Sequence, residues 1–281
     1  MYRIVMYRSA AAVLAALGCH AASARSACTS SSPDCVAVGE WSISAGLGAG
    51  VRTNPLRKSS DIPLVVIPHI SYYGQRFFLE NLDVGYTLYD GERHTLSLIA
   101  SPGYDRVFFY RHDVQNLFVN GALLTPGFVA GGEEQQAAPP TTPHHRHSTY
   151  LAGPEWTFSH GKLTGQFDAL YEVTGRHKGL EVRAALATPI IESKGALVAS
   201  AGLTWKSSAL VDYYYGVDEL YAPGAAVNPF IKLGYSLPIS DRWRFTSFAH
   251  YERLASSMAD SPLLGEAHVT TVFAGFVFTF I

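Results

Sequence analysis

Beyond its first two dozen residues the chain contains no run of the roughly 18 to 20 uncharged apolar residues that a membrane-spanning helix requires. Gly-x-Ser-x-Gly, His-Glu-x-x-His and Cys-x-x-Cys are also missing. Their absence removes the commonest hydrolase, zinc-protease and thiol-redox signatures and points away from an enzyme, although barrel hydrolases scatter their catalytic groups along the chain. With 21 Lys and Arg against 23 Asp and Glu the formal net charge is -2. No cationic excess exists for nucleic acid or for a polybasic membrane anchor. Methionine and cysteine are scarce, at three each, whereas Tyr and Phe number 16 and 15. Those two residue types favour pleated, half-buried surfaces and the membrane interface.

The opening reads as an export signal over residues 1–24. Arg3 and Arg8 give the positive start, Ser9 to Gly18 the short apolar stretch, and Ala22-Ser23-Ala24 the small-residue cleavage pattern, with maturation expected near Arg25. The rival is acylation at Cys19, whose preceding Ala16-Leu17-Gly18 loosely resembles a lipobox but lacks Leu three residues before the Cys. After cleavage only Cys28 and Cys35 remain. In an oxidising periplasm they are expected to close a disulfide within a periplasmic segment, residues 25–40, two unpaired thiols being the alternative.

An exported membrane protein without apolar helices must be a closed β-barrel, because only closure satisfies every backbone hydrogen bond in lipid. Strict alternation is the test. From Lys162 to Thr174 one set is Leu163, Gly165, Phe167, Ala169, Tyr171 and Val173; the other is Lys162, Thr164, Gln166, Asp168, Leu170, Glu172 and Thr174. Trp243, Phe245, Ala249 and Tyr251 likewise oppose Arg242, Arg244, Thr246, His250 and Glu252, and Ile231 and Leu233 oppose Lys232. Helical spacing would mix these sets. A soluble β-sandwich also alternates, but the apolar sets here carry aromatics near strand ends, as an interfacial girdle requires.

The fold expected is an all-β, transmembrane, antiparallel up-and-down barrel over residues 41–281, in the Gram-negative outer membrane. Twelve strands are predicted near Trp41–Val51, Ile62–Tyr73, Gln75–Asn81, Val84–Tyr89, His94–Tyr104, Ser148–Phe158, Lys162–Thr174, Leu180–Ile190, Ala196–Lys206, Val227–Leu237, Arg242–Leu254 and His268–Phe280. Short turns fall on one side, the periplasmic one, and the long connections 52–61, 105–147, 207–226 and 255–267 on the other. Ten strands is the alternative, because the reversal near Leu82-Asp83 carries no Gly or Pro. The last strand presents Val272, Ala274, Phe276, Phe278 and Phe280 as an apolar row. Phe276, Phe278 and Phe280 resemble the C-terminal signal read by the barrel assembly machinery, with Ile281 following the Phe that normally ends it.

The polar set predicts a lumen lined by Glu155, Lys162, Asp168, Glu172, Glu181, Arg183, Lys232, Arg242, Arg244 and Glu252. Mixed signs suit a paired network filling a modest interior; a narrow channel is the functional alternative, since ion selectivity asks for a ring of one sign. His144, His145 and His147 could hold a metal weakly, but a solvated loop beside Pro139, Pro140 and Pro143 fits them better, and no cofactor is expected. Gly46, Gly48 and Gly50 lack the strand-then-helix context of a phosphate loop and instead suit close strand packing. Tyr213, Tyr214, Tyr215 and Tyr221 read as an aromatic patch near an outer loop, anchored at the lipopolysaccharide interface on the simpler account, with binding of a partner as the alternative.

The glycine-rich opening and Pro68-His69-Ile70-Ser71-Tyr72-Tyr73-Gly74-Gln75-Arg76-Phe77-Phe78 resemble the Pro-x-x-x-Tyr-x-x-x-Arg-Phe-Phe segment of the MipA/OmpV family (MltA-interacting protein). Gly175-Arg176-His177-Lys178-Gly179-Leu180-Glu181-Val182-Arg183, then Tyr214-Tyr215-Gly216-Val217, then Asp260-Ser261-Pro262-Leu263, follow in the family's order. Ser101-Pro102-Gly103-Tyr104-Asp105-Arg106-Val107-Phe108-Phe109 is closer to the OmpV-like branch. The resemblance implies an outer-membrane barrel in contact with lipid and lipopolysaccharide. Roles in the family include scaffolding a murein hydrolase and synthase, and porin-like or adhesive behaviour. It brings no catalytic residues.

Overall fold

A computed structural model describes residues 38–110 and 146–281. The signal segment, Cys28 and Cys35 with their expected disulfide, and His144 and His145 lie outside the described residues.

Where polar and apolar residues alternate the chain forms long strands: β1 (Trp41–Arg52), β2 (Ile62–Tyr73), β3 (Phe77–Glu80), β4 (Asp83–Asp90), β5 (His94–Pro102), β6 (Tyr150–His160), β7 (Leu163–Glu172), β8 (Leu180–Glu192), β9 (Ala196–Lys206), β10 (Ala226–Pro238), β11 (Trp243–Arg253) and β12 (His268–Thr279). Each pairs antiparallel with its chain neighbour, and β12 pairs with β1, so the sheet closes as a twelve-stranded barrel. Past the end of β12 the ladder continues: Phe280 N donates to Ile43 O (2.8 Å) and Ile43 N to Ile281 O (2.9 Å). Gly48 in β1 permits this closure. A Cβ there would lie 2.3 Å from Ala274 O and 2.6 Å from the tip of the Phe273 ring, which lies against this strand from the lumen side.

The barrel is apolar outside and mixed inside, where charged and polar side chains share the lumen with one apolar cluster of Ile62, Leu64, Ile67, Phe248 and Phe273. In β10, Ile231 and Leu233 are 62% and 49% exposed whereas Lys232 between them is 8% exposed. In β7, Phe167 is 43% exposed and Asp168 is wholly buried. No helix among the described residues is long and apolar enough to cross a membrane. Aromatics gather at the periplasmic rim, where Trp41 packs on Tyr72 and Trp243 on Phe278, each pair 5.0 Å between ring centroids.

The strand count is decided at β3–β4. Glu80 pairs with Asp83, leaving a two-residue hairpin at Asn81–Leu82, one residue earlier than the sequence suggests. Asn81 adopts a left-handed conformation (φ 55°), which Asn tolerates where most residues do not. Its side-chain oxygen accepts from Ile70 N (3.0 Å) and its own N–H donates to Ile70 O (2.7 Å), tying the turn to β2.

Helical structure sits at the extracellular end, where the long connections are. A 3-10 turn (Tyr104–Phe108) follows β5, α1 (Ser208–Tyr215) follows β9 and α2 (Ser256–Ala259) follows β11. The sequence reading treats all three as loop; they are short, and their apolar residues are covered by one another and by the upper strand residues.

Candidate functional site

Four extracellular connections interlock into a cap. Leu210, Val211, Tyr214 and Tyr215 of α1, Met258 of α2, and Leu56, Leu263 and Leu264 from the other loops form one buried cluster with the upper strand residues Leu151, Leu170 and Val269. Leu56 bridges to Leu264, Arg57 Nε donates to Leu264 O (2.6 Å), and Ser261 Oγ donates to Tyr215 O (2.6 Å). Asn54 Nδ2 donates to Phe108 O (3.0 Å), which joins the β1–β2 loop to the 3-10 turn. Arg146 enters from the other end of the β5–β6 connection, donating from Nε to Tyr214 O (2.7 Å) with its guanidinium 4.3 Å from the Phe109 ring centre.

Tyr214 and Tyr215 are 1% and 0% exposed. The expected interfacial patch is therefore corrected: these rings belong to the cap's core, because a helix turns residues 214 and 215 inward over the barrel mouth. Tyr213 is partly buried beside them and accepts a hydrogen bond from His147 N (2.9 Å), while Tyr221 donates to Ser257 O (3.1 Å).

One ion pair fastens the cap to the wall. Asp105, in the 3-10 turn, is 3% exposed. It accepts from Lys206 Nζ of β9 at 2.5 and 2.6 Å and from Tyr215 Oη of α1 at 2.7 Å. Burial and the adjacent Asp105 push the Tyr215 phenol well above its ordinary range, so it stays protonated as the donor. Neither Asp105 nor Lys206 is among the lumen residues expected from sequence. Lys206 shares parity with Thr204 in β9 and so carries an alternation signal; Asp105, in a non-strand turn, carries none.

Of the expected lumen set, Glu155, Asp168, Glu172, Glu181, Arg183 and Lys232 are buried, and Arg244 and Glu252 are partly buried. Arg183 Nε donates to Glu181 Oε1 (2.5 Å), Lys206 lies 3.9 Å from Glu181, and Gln166 Nε2 donates to Glu155 (2.9 Å) and to both Asp168 oxygens (3.1 and 3.0 Å). Glu252 accepts from Asn228 Nδ2 (2.9 Å). Two residues of the set are corrected. Lys162 and Arg242 lie in periplasmic turns, exposed outside the strands, where strict alternation no longer applies; Lys162 pairs with Glu192 at the surface.

Glu172, at the top of β7, turns from the lumen to its own loop. Its carboxylate accepts from the backbone N–H groups of Thr174 (2.6 Å), Arg176 (2.8 Å), His177 (3.1 Å) and Lys178 (3.0 Å) and from the Thr174 hydroxyl. His177 is buried against Tyr213 and Tyr214, its Nδ1 accepting from Gly179 N (3.0 Å). Burial lowers its pKa, opposed by the nearby carboxylates of Glu172, Asp105 and Glu181. His147 is exposed, and no cluster of three or more metal-ligating side chains occurs among the described residues.

The family profile described as MltA-interacting protein MipA matches residues 45–280. The MltA-interacting protein of Escherichia coli (strain K12) is 27% identical, over 87% of this chain and 93% of its own length. The outer membrane protein OmpV of Vibrio cholerae is 36% identical over a shorter stretch, 30% of this chain and 36% of its own. Among solved structures, the outer membrane protein OmpT of Vibrio cholerae aligns with 86% of this chain and all of its own, at 7% identity and a TM-score of 0.38, too distant to carry an argument. Closed topology, inverted polarity and a family match along the whole barrel agree: this chain belongs to the MltA-interacting protein (MipA) family and is a β-barrel of the outer membrane.

Proposed function

We propose that this barrel is an occluded, non-enzymatic scaffold that holds murein-synthesising and murein-hydrolysing proteins at the outer membrane. The observation that carries the reading is the cap: the described extracellular loops pack apolar side chains over the mouth and fasten them through Asp105, Lys206 and Tyr215. A solute pore gains nothing from such a seal, whereas a scaffold needs a rigid wall and free rims. The name MltA-interacting protein, carried by a relative matched over most of both chains, supports a murein enzyme as partner. Affinity isolation of the folded protein from detergent-solubilised envelopes tests this. Co-purification of a murein hydrolase is the expected result, and a clean isolation of correctly folded barrel would count against the scaffold.

A porin-like channel is the competing reading, favoured by the charged interior. Planar-bilayer recording separates the two: the scaffold reading expects no steady unitary conductance. Adhesion, the remaining family role, would require the extracellular face to bind a surface, which a host-cell binding assay measures. For assembly, we take Phe276, Phe278 and Phe280 as the element read by the barrel assembly machinery. Truncating these rings to Ala is expected to lower the amount inserted in the membrane.

A further inference from the structure

Beneath the cap lies a cavity of about 120 Å³, bounded by the 3-10 turn, by Tyr215 and Met258, and by the upper inward residues of β1 and β8–β12. Its walls are of two kinds. Arg52 and Lys232 stand on one side with Phe230 and Phe248, and Leu254 and Met258 add apolar surface. We infer that this cavity binds a small organic anion, one carboxylate on a ring-sized apolar body, with Arg52 holding the carboxylate.

The carboxylates around the cavity already have partners. Asp105 is held by Lys206 and Tyr215, Glu181 by Arg183, and Glu252 accepts from Asn228. Arg52 differs. It is 9% exposed, its Nε reaches only Thr271 Oγ1 at 3.4 Å, and its Nη1 is buried with no hydrogen-bond partner. Among the described residues no carboxylate lies within ion-pair distance of it. Arg183, on the same cavity, also keeps one buried guanidinium nitrogen without a partner. Buried donors left unmade are costly, and an arriving acceptor removes that cost. A guanidinium presents a planar fork that fits a carboxylate through two parallel N–H···O bonds.

The apolar half fixes the rest of the ligand. The Phe108 ring lies 5.8 Å from the Arg52 guanidinium and the Phe248 ring 5.4 Å from Lys232 Nζ, so the cationic groups sit directly against hydrocarbon. A closed cavity of roughly 150 Å³ accepts benzene; this one is slightly smaller but open on one side, so a ring seats against the phenylalanines with part of the ligand in the opening. A free phosphate would meet the same guanidinium but leave Phe230, Phe248 and Met258 facing nothing that matches them.

Benzoate is the probe, titrated by calorimetry into the full-length protein folded in detergent, with neutral benzamide and inorganic phosphate as comparisons. Saturable benzoate binding is expected, with benzamide and phosphate each weaker by about tenfold or more. Arg52→Gln should weaken benzoate by about tenfold or more. Arg52→Lys, which keeps the charge and most of the packing, should fall between them and serves if the Gln variant does not fold. Correct folding of each variant is read from heat-modifiable gel migration. Failure of folded wild-type protein to bind benzoate saturably overturns the proposal, as does unchanged affinity in both Arg52 variants. Equal affinity for benzamide would exclude the carboxylate contact, and equal affinity for phosphate the apolar body.

Discussion

Phe167 and Asp168 are neighbours in β7, yet one ring faces hydrocarbon and the other side chain is sealed inside with Gln166. Within a strand the sequence is legible at this scale, because a strand turns successive side chains to opposite faces. Alternation is enough to put Asp168, Glu181, Arg183 and Lys232 on the inner wall. Lys162 and Arg242 escape it because they sit where the strand has ended and period two no longer governs. The same logic predicts the cost of an error on the outer face. Ile231, in the middle of β10, is 62% exposed to lipid. Ile231→Lys is expected to destabilise the barrel by about 2–4 kcal/mol, measured by denaturant unfolding in lipid vesicles, whereas Ile231→Leu should change little.

Among elements, the short β3–β4 hairpin is the instructive case. Gly or Pro would have marked its turn; instead Asn81 supplies the positive φ and a side-chain bond to Ile70. The signal is present as an Asn between two strands, but Asn228 sits inside β10, so an Asn alone does not mark a turn and leaves ten strands open. Asn81→Ala should cost about 1–2 kcal/mol, from the strained conformation and the lost bond. Asn81→Gly should recover the conformational part, and equilibrium unfolding of the two variants compares them.

The β7–β8 loop gives a pH dependence. Burial holds the His177 pKa below its ordinary value of 6.5, so the folded loop prefers the neutral ring while the unfolded chain accepts a proton more readily. The stability it contributes is therefore present above about pH 6.5 and is lost as the pH falls through the depressed folded value. Thermal unfolding should shift downward between about pH 8 and about pH 5, and less so in a His177→Gln variant.

For the whole molecule, the decisive feature is the cap of packed loops at one end of the closed barrel. Asp105 is 101 residues from Lys206 and 110 from Tyr215, and the three meet only when the β5–β6 and β9–β10 connections fold over the same mouth. Removing the carboxylate leaves the buried Lys206 ammonium only the more distant Glu181, at 3.9 Å. Asp105→Ala is expected to cost about 3–5 kcal/mol and to loosen the cap. In planar bilayers the scaffold reading expects a silent parent protein and intermittent openings in the variant; identical silent traces from both would mean that other contacts hold the cap.

Residue order was sufficient for the barrel, its inside and outside, its long-loop end and the family, because each depends on period two or on motifs local in the chain. The folded arrangement was needed to learn that the mouth is capped, that Tyr214 and Tyr215 point inward, and that Arg52 is left without a carboxylate over a cavity. The reason is physical: loop side chains follow no repeat, so what they touch is fixed only when distant connections meet over the closed sheet.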